Sequence, residues 1–421
     1  MPLLLVLGYV WPEPNSSAAG WRMLSLLQLF RQQGFRIVFA SPAEKSPHRA
    51  DLTAWQIEEA SIALNCDSFA QQLAKWQPAV VLFDRFMLEE QFGWWVDEVC
   101  PGALKLLDSE DLHCLRAARQ QAFTQQRAVT AQDLRSELAL REVAAILRCD
   151  LTLTISRAEL ALLTDFYQVP ASQVLYCPFL LDDVTVDQQV AFDMRQHFSF
   201  IGNFRHEPNW QAVLRLKQLW PLLRQQLPGV ELHIYGAYPP PKATQLHAPK
   251  QGFYIKGWAT EAEQAFRQYR VCLAPLSFGA GLKGKIIEAM RFGTPVVTTS
   301  IGAEGISHQP EHVDFPGMVA EQDEAIIAAA VALYQDAQHW QQAQQRAVAC
   351  LAQFDRNELQ PEIFQRISAV KQQLVAHRAQ CFTGSMLKYH HHRSTKFMAQ
   401  WIAAKNQLAA LLAKELSDVK P

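Results

Sequence analysis

The sequence predicts an α/β protein of two doubly wound, Rossmann-like domains facing across a cleft, followed by a C-terminal helical tail. Three observations carry this. Short apolar runs alternate with longer helical patterns up to Tyr167, a second such series runs from Ser199 to Thr299, and the polar stretch Asp182-Asp183-Val184-Thr185-Val186-Asp187 separates them. Apolar strands alternating with helices imply parallel sheets covered on both faces. Two such series imply two sheets whose carboxyl ends share a ligand crevice.

Taken in order, residues 3–7 read as a strand, 18–33 as a helix, 36–40 as a strand, 69–76 as a helix and 79–83 as a strand. A helix over 88–99, a strand over 103–107, helices up to Arg148, a strand over 151–155 and a helix through Tyr167 complete the first series. In the second, strands are expected at 199–201, 230–235, 254–256, 271–274 and 295–299, and helices at 210–227, 261–269 and 286–292. From Glu321 onward the chain reads as helical. Phe397, Trp401, Ala404, Leu408 and Leu411 recur at helical spacing, which predicts an amphipathic helix docked on the body. His390-His391-His392 reads as a solvated turn, with metal binding as the alternative. The domains are expected at 1–180, 181–355 and 356–421, the last packing back on the first.

With 421 residues the chain is long enough for two or three domains. Its 39 Lys and Arg against 41 Asp and Glu leave a net charge of −2, so no overall basic field points to nucleic acid. None of the eight cysteines forms a C-x-x-C pair, and most lie in or beside apolar stretches. A zinc site or disulfide framework is not expected, and a reducing cytoplasm fits. Met1-Pro2-Leu3-Leu4-Leu5-Val6-Leu7-Gly8 lacks a basic start and is too short to span a membrane, so it reads as a buried strand rather than a leader.

The most informative segment is Pro275-Leu276-Ser277-Phe278-Gly279-Ala280-Gly281-Leu282-Lys283-Gly284-Lys285-Ile286-Ile287-Glu288-Ala289-Met290. A strand enters a glycine loop that opens a helix. Glycines permit sharp turns and close ligand approach. The helix start leaves N–H groups unpaired at a positive dipole end, an anion site. Lys283 and Lys285 add charge, and Glu288 is placed to accept hydrogen bonds from a ribose diol. A packing loop with a Glu288–Lys285 surface pair is the alternative. Gly279, Gly281 and Gly284 also fit the dinucleotide fingerprint G-x-G-x-x-G, but the loop lies late in its domain. Ile286 replaces the hydroxyl residue of a phosphate-binding Walker loop, which disfavours a P-loop enzyme.

This segment, continuing through Gly293-Thr294-Pro295-Val296-Val297-Thr298-Thr299 and Gly302-Ala303-Glu304-Gly305, resembles the donor-site block of GT-B glycosyltransferases, family 4-like, the glycosyl transferases group 1. Phe200-Ile201-Gly202-Asn203 with Pro208-Asn209, and Ile255-Lys256-Gly257-Trp258, resemble further blocks of that family in the same order. The resemblance spans about 200–306. It implies a nucleotide-diphosphate sugar donor. Gly281, Leu282, Lys283 and Lys285 would meet its diphosphate, with Gly202, Asn203 and Arg205 nearby, Glu288 its ribose, and Gly257 and Trp258 its base. Many members carry a second glutamate where this chain has Ala280, which bears on sugar identity and on retaining chemistry.

On the N-terminal side, Asn15-Ser16-Ser17-Ala18-Ala19-Gly20 opens the first helix, with Ser16 or Asn15 as a cap. Gly20 and Arg22 loosely match the family's donor-facing loop. Asp108, Asp111, His113 and Arg116 follow an apolar strand and are expected at the cleft, where they could orient an acceptor hydroxyl. His113 alone among them titrates near neutrality without help. Capping by Asp108 or Ser109 and a buried His113 are the alternative. Asp84, Arg85, Glu89 and Glu90 line the acceptor region or form ion pairs. His113, Asp111, Lys283 and Glu288 are the catalytic candidates. The resemblance implies retaining glycosyl transfer without a metal or other cofactor, and the lack of any D-x-D triplet agrees with metal independence. The acceptor is open: a glycan, a lipid-linked glycan or a protein, with peripheral membrane contact through the tail as a further option. The rivals are an NAD(P)-dependent oxidoreductase and a non-catalytic sugar-binding GT-B protein.

Overall fold

A computed structural model describes residues 1–187 and 190–418. The first sheet has seven parallel strands, β1 (Leu3–Leu7), β2 (Arg36–Ser41), β3 (Glu58–Ser61), β4 (Val80–Asp84), β5 (Leu104–Asp108), β6 (Leu151–Thr154) and β7 (Val174–Tyr176), in the order β3-β2-β1-β4-β5-β6-β7. The second has six, β8 (Gln196–Ile201), β9 (Leu232–Tyr235), β10 (Phe253–Gly257), β11 (Tyr269–Ala274), β12 (Val296–Thr298) and β13 (Gly317–Val319), in the order β10-β9-β8-β11-β12-β13. Helices α1 (Ala18–Gln32), α2 (Ser68–Trp76), α3 (Phe86–Val99), α4 (His113–Thr124), α5 (Glu137–Arg148) and α6 (Arg157–Ala161) flank the first sheet. Helices α7 (Glu207–Gln226), α8 (Pro241–Thr244), α9 (Gly284–Arg291), α10 (Ser300–Ala303), α11 (Asp323–Gln335) and α12 (Ala337–Ala352) belong with the second. Three more, α13 (Arg356–Gln372), α14 (Leu374–Gln380) and α15 (Phe382–Asp418), follow.

The apolar run of β1 has a direct structural cause. Successive side chains of a strand point to opposite faces. Leu3, Leu5 and Leu7 therefore enter the core under α2 and α3, while Leu4 and Val6 enter the core under α1. Ile363, Ile367 and Val370 of α13 join that second core, so the chain crosses back onto the first sheet after α12. The crossing is fixed beside the linker, where Leu181 N–H donates to the Phe354 carbonyl at 2.8 Å and Arg356 pairs with Asp182 at 2.6 Å.

Several expectations need correction. Strands β3, β7 and β13 were not legible: β3 is a charged edge strand, Glu-Glu-Ala-Ser, without an apolar run, and the other two have three residues each. The expected helix over 261–269 is a single turn, Ala262–Ala265, and Tyr269 already pairs with Gln196 as the first residue of β11. The helix toward Tyr167 passes through a π turn at Leu162–Phe166. Residues 390–392 are helical rather than a turn: His392 faces Asp97 at 3.4 Å and His391 meets the Glu90 carbonyl at 3.2 Å on α3. The apolar row further along α15 is not docked, for Phe397, Trp401, Leu408 and Leu411 are 62%, 60%, 58% and 61% exposed. Among the described residues no helix is long and apolar enough to cross a membrane.

Candidate donor and acceptor cleft

In open parallel sheets ligands bind at strand carboxyl ends where the strand order reverses. The reversal lies between β1 and β4 in the first sheet and between β8 and β11 in the second. The loops after these four strands, joined by those after β5, β9 and β10, line one cleft of about 810 Å³. From the first domain come Tyr9, residues 10–21, Met23, Asp84, Arg85, Met87, Glu110, Asp111, His113 and Arg116. The second contributes Gly202, Asn203, Arg205, His206, Trp258, Leu282, Lys283, Lys285 and Glu288 among others. Of the residues expected at the site from the sequence, Gly257, Arg22, Asp108, Glu89 and Glu90 are absent from this wall.

The glycine loop is shaped by the facing domain. Gly281, at φ 64°, turns the chain where a Cβ would meet Asp111 Cβ at 2.9 Å. Its N–H is not open to a phosphate: it donates to Glu159 Oε1 at 2.8 Å, and the same oxygen accepts the Leu112 N–H at 2.8 Å. Glu159 was missed in the sequence. Its one signal is Ser156-x-x-Glu159, a helix-start pattern in which the serine does cap α6 while the glutamate reaches outward. Among the described residues the N–H groups of Leu282, Lys283, Gly284 and Lys285 make no protein hydrogen bond, so the unpaired donors begin one residue later than expected.

Two charge placements also differ from expectation. The Lys283 ammonium turns into its own loop, donating to the Gly281 carbonyl at 2.6 Å and to that of Ala280 at 3.2 Å. Lys285 pairs with Asn209 Oδ1 and lies 4.4 Å over the Phe200 ring, so no Glu288–Lys285 surface pair forms. Glu288 faces the cleft. Burial lowers the Lys285 pKa to about 7 and raises that of Glu288 to about 7. Arg205 stacks its guanidinium 3.6 Å over Tyr238. Trp258 is half-exposed, lies against the His48 ring at 4.2 Å with the planes tilted by 34°, and donates to the Asn15 carbonyl at 3.0 Å, so a base placed against it shares the ring with His48.

On the facing wall, Asp111 is gripped by Arg116 and lies 3.6 Å from His113. Burial alone would raise the Asp111 pKa, but Arg116 and then His113 outweigh it and hold it low. His113 does not titrate near neutrality: burial pushes it down to about 4, so it is neutral there. The group that does is Glu110, raised to about 7 by burial and by Asp111. Arg85, at φ 72° and ψ 157°, holds a conformation costly for a side-chain-bearing residue, stored strain of about 1–3 kcal/mol. Its guanidinium lies over Tyr9, 3.7 Å from Asp84 and 4.0 Å from Glu110. Glu110, Asp111 and His113 offer three ligand atoms within 4.8 Å of one another, but Arg85 and Arg116 supply the positive charge in this corner.

Other candidates proved structural. Asp108 is buried in a pair with Arg22 at 2.7 Å, and Arg22 also holds the Cys177 and Pro178 carbonyls. Neither lines the cleft. Glu89 is buried against Arg148, and Glu90 pairs with Arg141. Gly20 is required by packing: a Cβ there would strike the Glu13 backbone at 2.4 Å. The cap of α1 is Ser17, which accepts from Gly20 N–H, rather than Asn15 or Ser16. Helix α4 is capped from outside, by Glu142 accepting the His113 and Cys114 N–H groups at 3.0 and 2.7 Å. Arg119 clasps the two domains together, bidentate to Glu304 at 2.6 and 2.8 Å and bonded to the Gly279 carbonyl. The G-x-G-x-x-G triplet follows β11, the fourth strand of its domain, whereas the first-strand loop is Gly202–His206. That is not the setting of a dinucleotide fingerprint.

With this geometry in place, comparison defines the class. Residues 195–336 match the family described as Glycosyl transferases group 1, so the second domain is a glycosyl transferases group 1 domain. No curated protein matches the chain in sequence. Among solved structures the chain resembles sucrose-phosphate synthase from Thermosynechococcus elongatus, at TM-score 0.64 and 15% identity, over 89% of this chain and 100% of that one. It also resembles Anabaena HepE in complex with UDP and glucose, at TM-score 0.62 and 14% identity, over 88% and 100%. WaaG, a glycosyltransferase involved in lipopolysaccharide biosynthesis, matches at TM-score 0.60 and 13% identity, over 86% and 98%. The fold is GT-B. Fold and domain together make this protein a glycosyltransferase.

Proposed function

We propose that the protein transfers a sugar from a nucleoside-diphosphate sugar to an acceptor hydroxyl, with retention of configuration and without a metal or other cofactor. The observation that carries the donor half is the convergence, at one switch point, of four unpaired N–H groups from Leu282 to Lys285 with Lys285, Arg205 and the cleft-facing Glu288. Unpaired N–H groups at a helix start attract a diphosphate and stabilise the charge it gains on leaving. Glu288 accepts from the ribose hydroxyls, and Trp258 with His48 flanks the base. Lys283 acts by shaping the loop. In the transfer, the bond from the anomeric carbon to the diphosphate oxygen breaks, a bond to the acceptor oxygen forms on the same face, and the acceptor proton passes to the departing phosphate. Asp111, neutral His113 and Arg85 orient the acceptor, with Gly202 and Asn203 bordering the donor. A cytoplasmic site of action fits a nucleotide-activated donor.

Calorimetry with UDP, GDP, ADP and NAD tests this reading. One nucleoside diphosphate is expected to bind at micromolar strength. Glu288→Ala should weaken it by about 10- to 100-fold, the value of a hydrogen bond to a charged group. Binding of NAD alone, or wild-type affinity in Glu288→Ala, would overturn it.

A further inference from the structure

The outer half of α15 carries an apolar face that the chain itself leaves uncovered. Its inner half is fastened to α3 by Lys388 and His392 at Asp97, by His391 at the Glu90 carbonyl and by Lys396 at Glu98. Past Lys396, among the described residues, no hydrogen bond or ion pair joins the helix to the body. At roughly 100° of turn per residue, these four contact residues fall on one side of the helix. Phe397, Trp401, Ala404, Leu408, Leu411 and Leu412 fall on the opposite side, within an arc of roughly 100°. All six are exposed. The helix therefore cannot lay this face on the first domain without breaking the Asp97 and Glu98 contacts.

Charge decides what fits there. The chain as a whole is slightly acidic, yet residues 382–414 hold five Lys and Arg, three His and no Asp or Glu. Lys405 lies beside the face with its ammonium 5.3 Å over the Trp401 ring. A second copy of this helix would bring the five Lys and Arg of residues 382–414 against the same five, with only Glu415 and Asp418 at the helix end to offset them. An anionic surface is complementary to it. Aromatic and leucine side chains on one face with lysines at its border are the composition of helices that lie in a membrane interface.

We propose that α15 docks the protein, helix in plane, on an anionic phospholipid surface. Trp401, Leu408 and Leu411 enter the acyl boundary and Lys405 remains at the headgroups. This holds the first domain, and with it the Arg85 wall of the cleft, close to the lipid. The inference is independent of the donor assignment.

Flotation of the full chain with vesicles tests it, using phosphatidylcholine alone and phosphatidylcholine mixed with phosphatidylglycerol. The protein is expected to float with the anionic vesicles, to stay soluble with the neutral ones, and to be released by salt. Trp401→Ser with Leu408→Ser should cut the bound fraction by about tenfold or more while leaving the melting temperature and nucleotide binding unchanged. Both positions are exposed, so folding is not at stake. Solubility with both vesicle types would overturn the proposal. So would flotation of the double variant like wild type, or a concentration-dependent dimer that the double variant dissociates. Loss of nucleotide binding with flotation intact would instead strike the donor reading alone.

Discussion

Glu159 offers the sharpest test of how the two walls are held together. One oxygen, Oε1, takes both the Leu112 and the Gly281 N–H groups, while Oε2 has no partner. Glu159→Leu leaves two buried donors without an acceptor, at about 1–3 kcal/mol each, so about 2–6 kcal/mol together. The Gly281 share should appear as a loosened cleft, because opening admits water to that donor. Glu159→Gln keeps an oxygen where both bonds converge and places its amide nitrogen where nothing is bonded. It imitates the protonated acid, which is the native form near neutrality, because burial and Asp111 push the Glu159 pKa up to about 8. A carboxyl whose folded pKa lies above its unfolded 4.5 holds its proton more tightly when folded. Its stabilisation is full below the unfolded value and is lost as pH rises through about 8. Scanning calorimetry at about pH 5 and about pH 8.5 should show Glu159→Gln near wild type in acid and more stable than wild type in base. Glu159→Leu should be destabilised at both. If glutamine is as damaging as leucine, or its advantage does not grow with pH, the bridge has been misread.

Two further outcomes follow from charges the structure places. Lys285, lowered to about 7 by burial, should regain a proton when a diphosphate binds, so affinity falls as pH rises above 7. Glu288 would release a proton in the same range, so the measurement belongs in Glu288→Gln, by calorimetry in buffers of different ionisation heat; no net uptake there would exclude Lys285 from the site. Away from the cleft, Arg148→Met strands the buried Glu89 carboxylate and should cost about 3–5 kcal/mol of stability by urea unfolding, most of it recovered by adding Glu89→Leu. Nucleotide binding should survive in the double variant. A single variant as stable as wild type would mean that Glu89 finds another partner.

The parts of the site legible in the sequence were those built from contiguous residues. Gly279, Gly281 and Gly284 before a helix, with Glu288 one turn in, announce an anion-binding strand–loop–helix because strand, turn and helix start are local events. Glu159, Glu142 and the Arg119–Glu304 clasp were hidden, since each joins residues far apart in the chain; Glu159 and Gly281 are 122 positions apart. His113 was misjudged for a related reason. Its residue type fixes only its ordinary pKa, whereas the burial that drives it to about 4 exists only once α4 is folded beneath the cleft.

The sequence by itself determined the two parallel sheets, through apolar runs that must be covered on both faces, and the loop that opens α9. Tertiary structure alone decided which charges remain free. It turned Lys283 into its own loop, buried Asp108 on Arg22, gave the Gly281 N–H to Glu159, and left the apolar face of α15 pointing away from the body. The reason is physical: covalent neighbours fix a residue's conformational options and its side-chain chemistry, but solvation and charge partners, which set protonation and availability, come from atoms that only folding brings near.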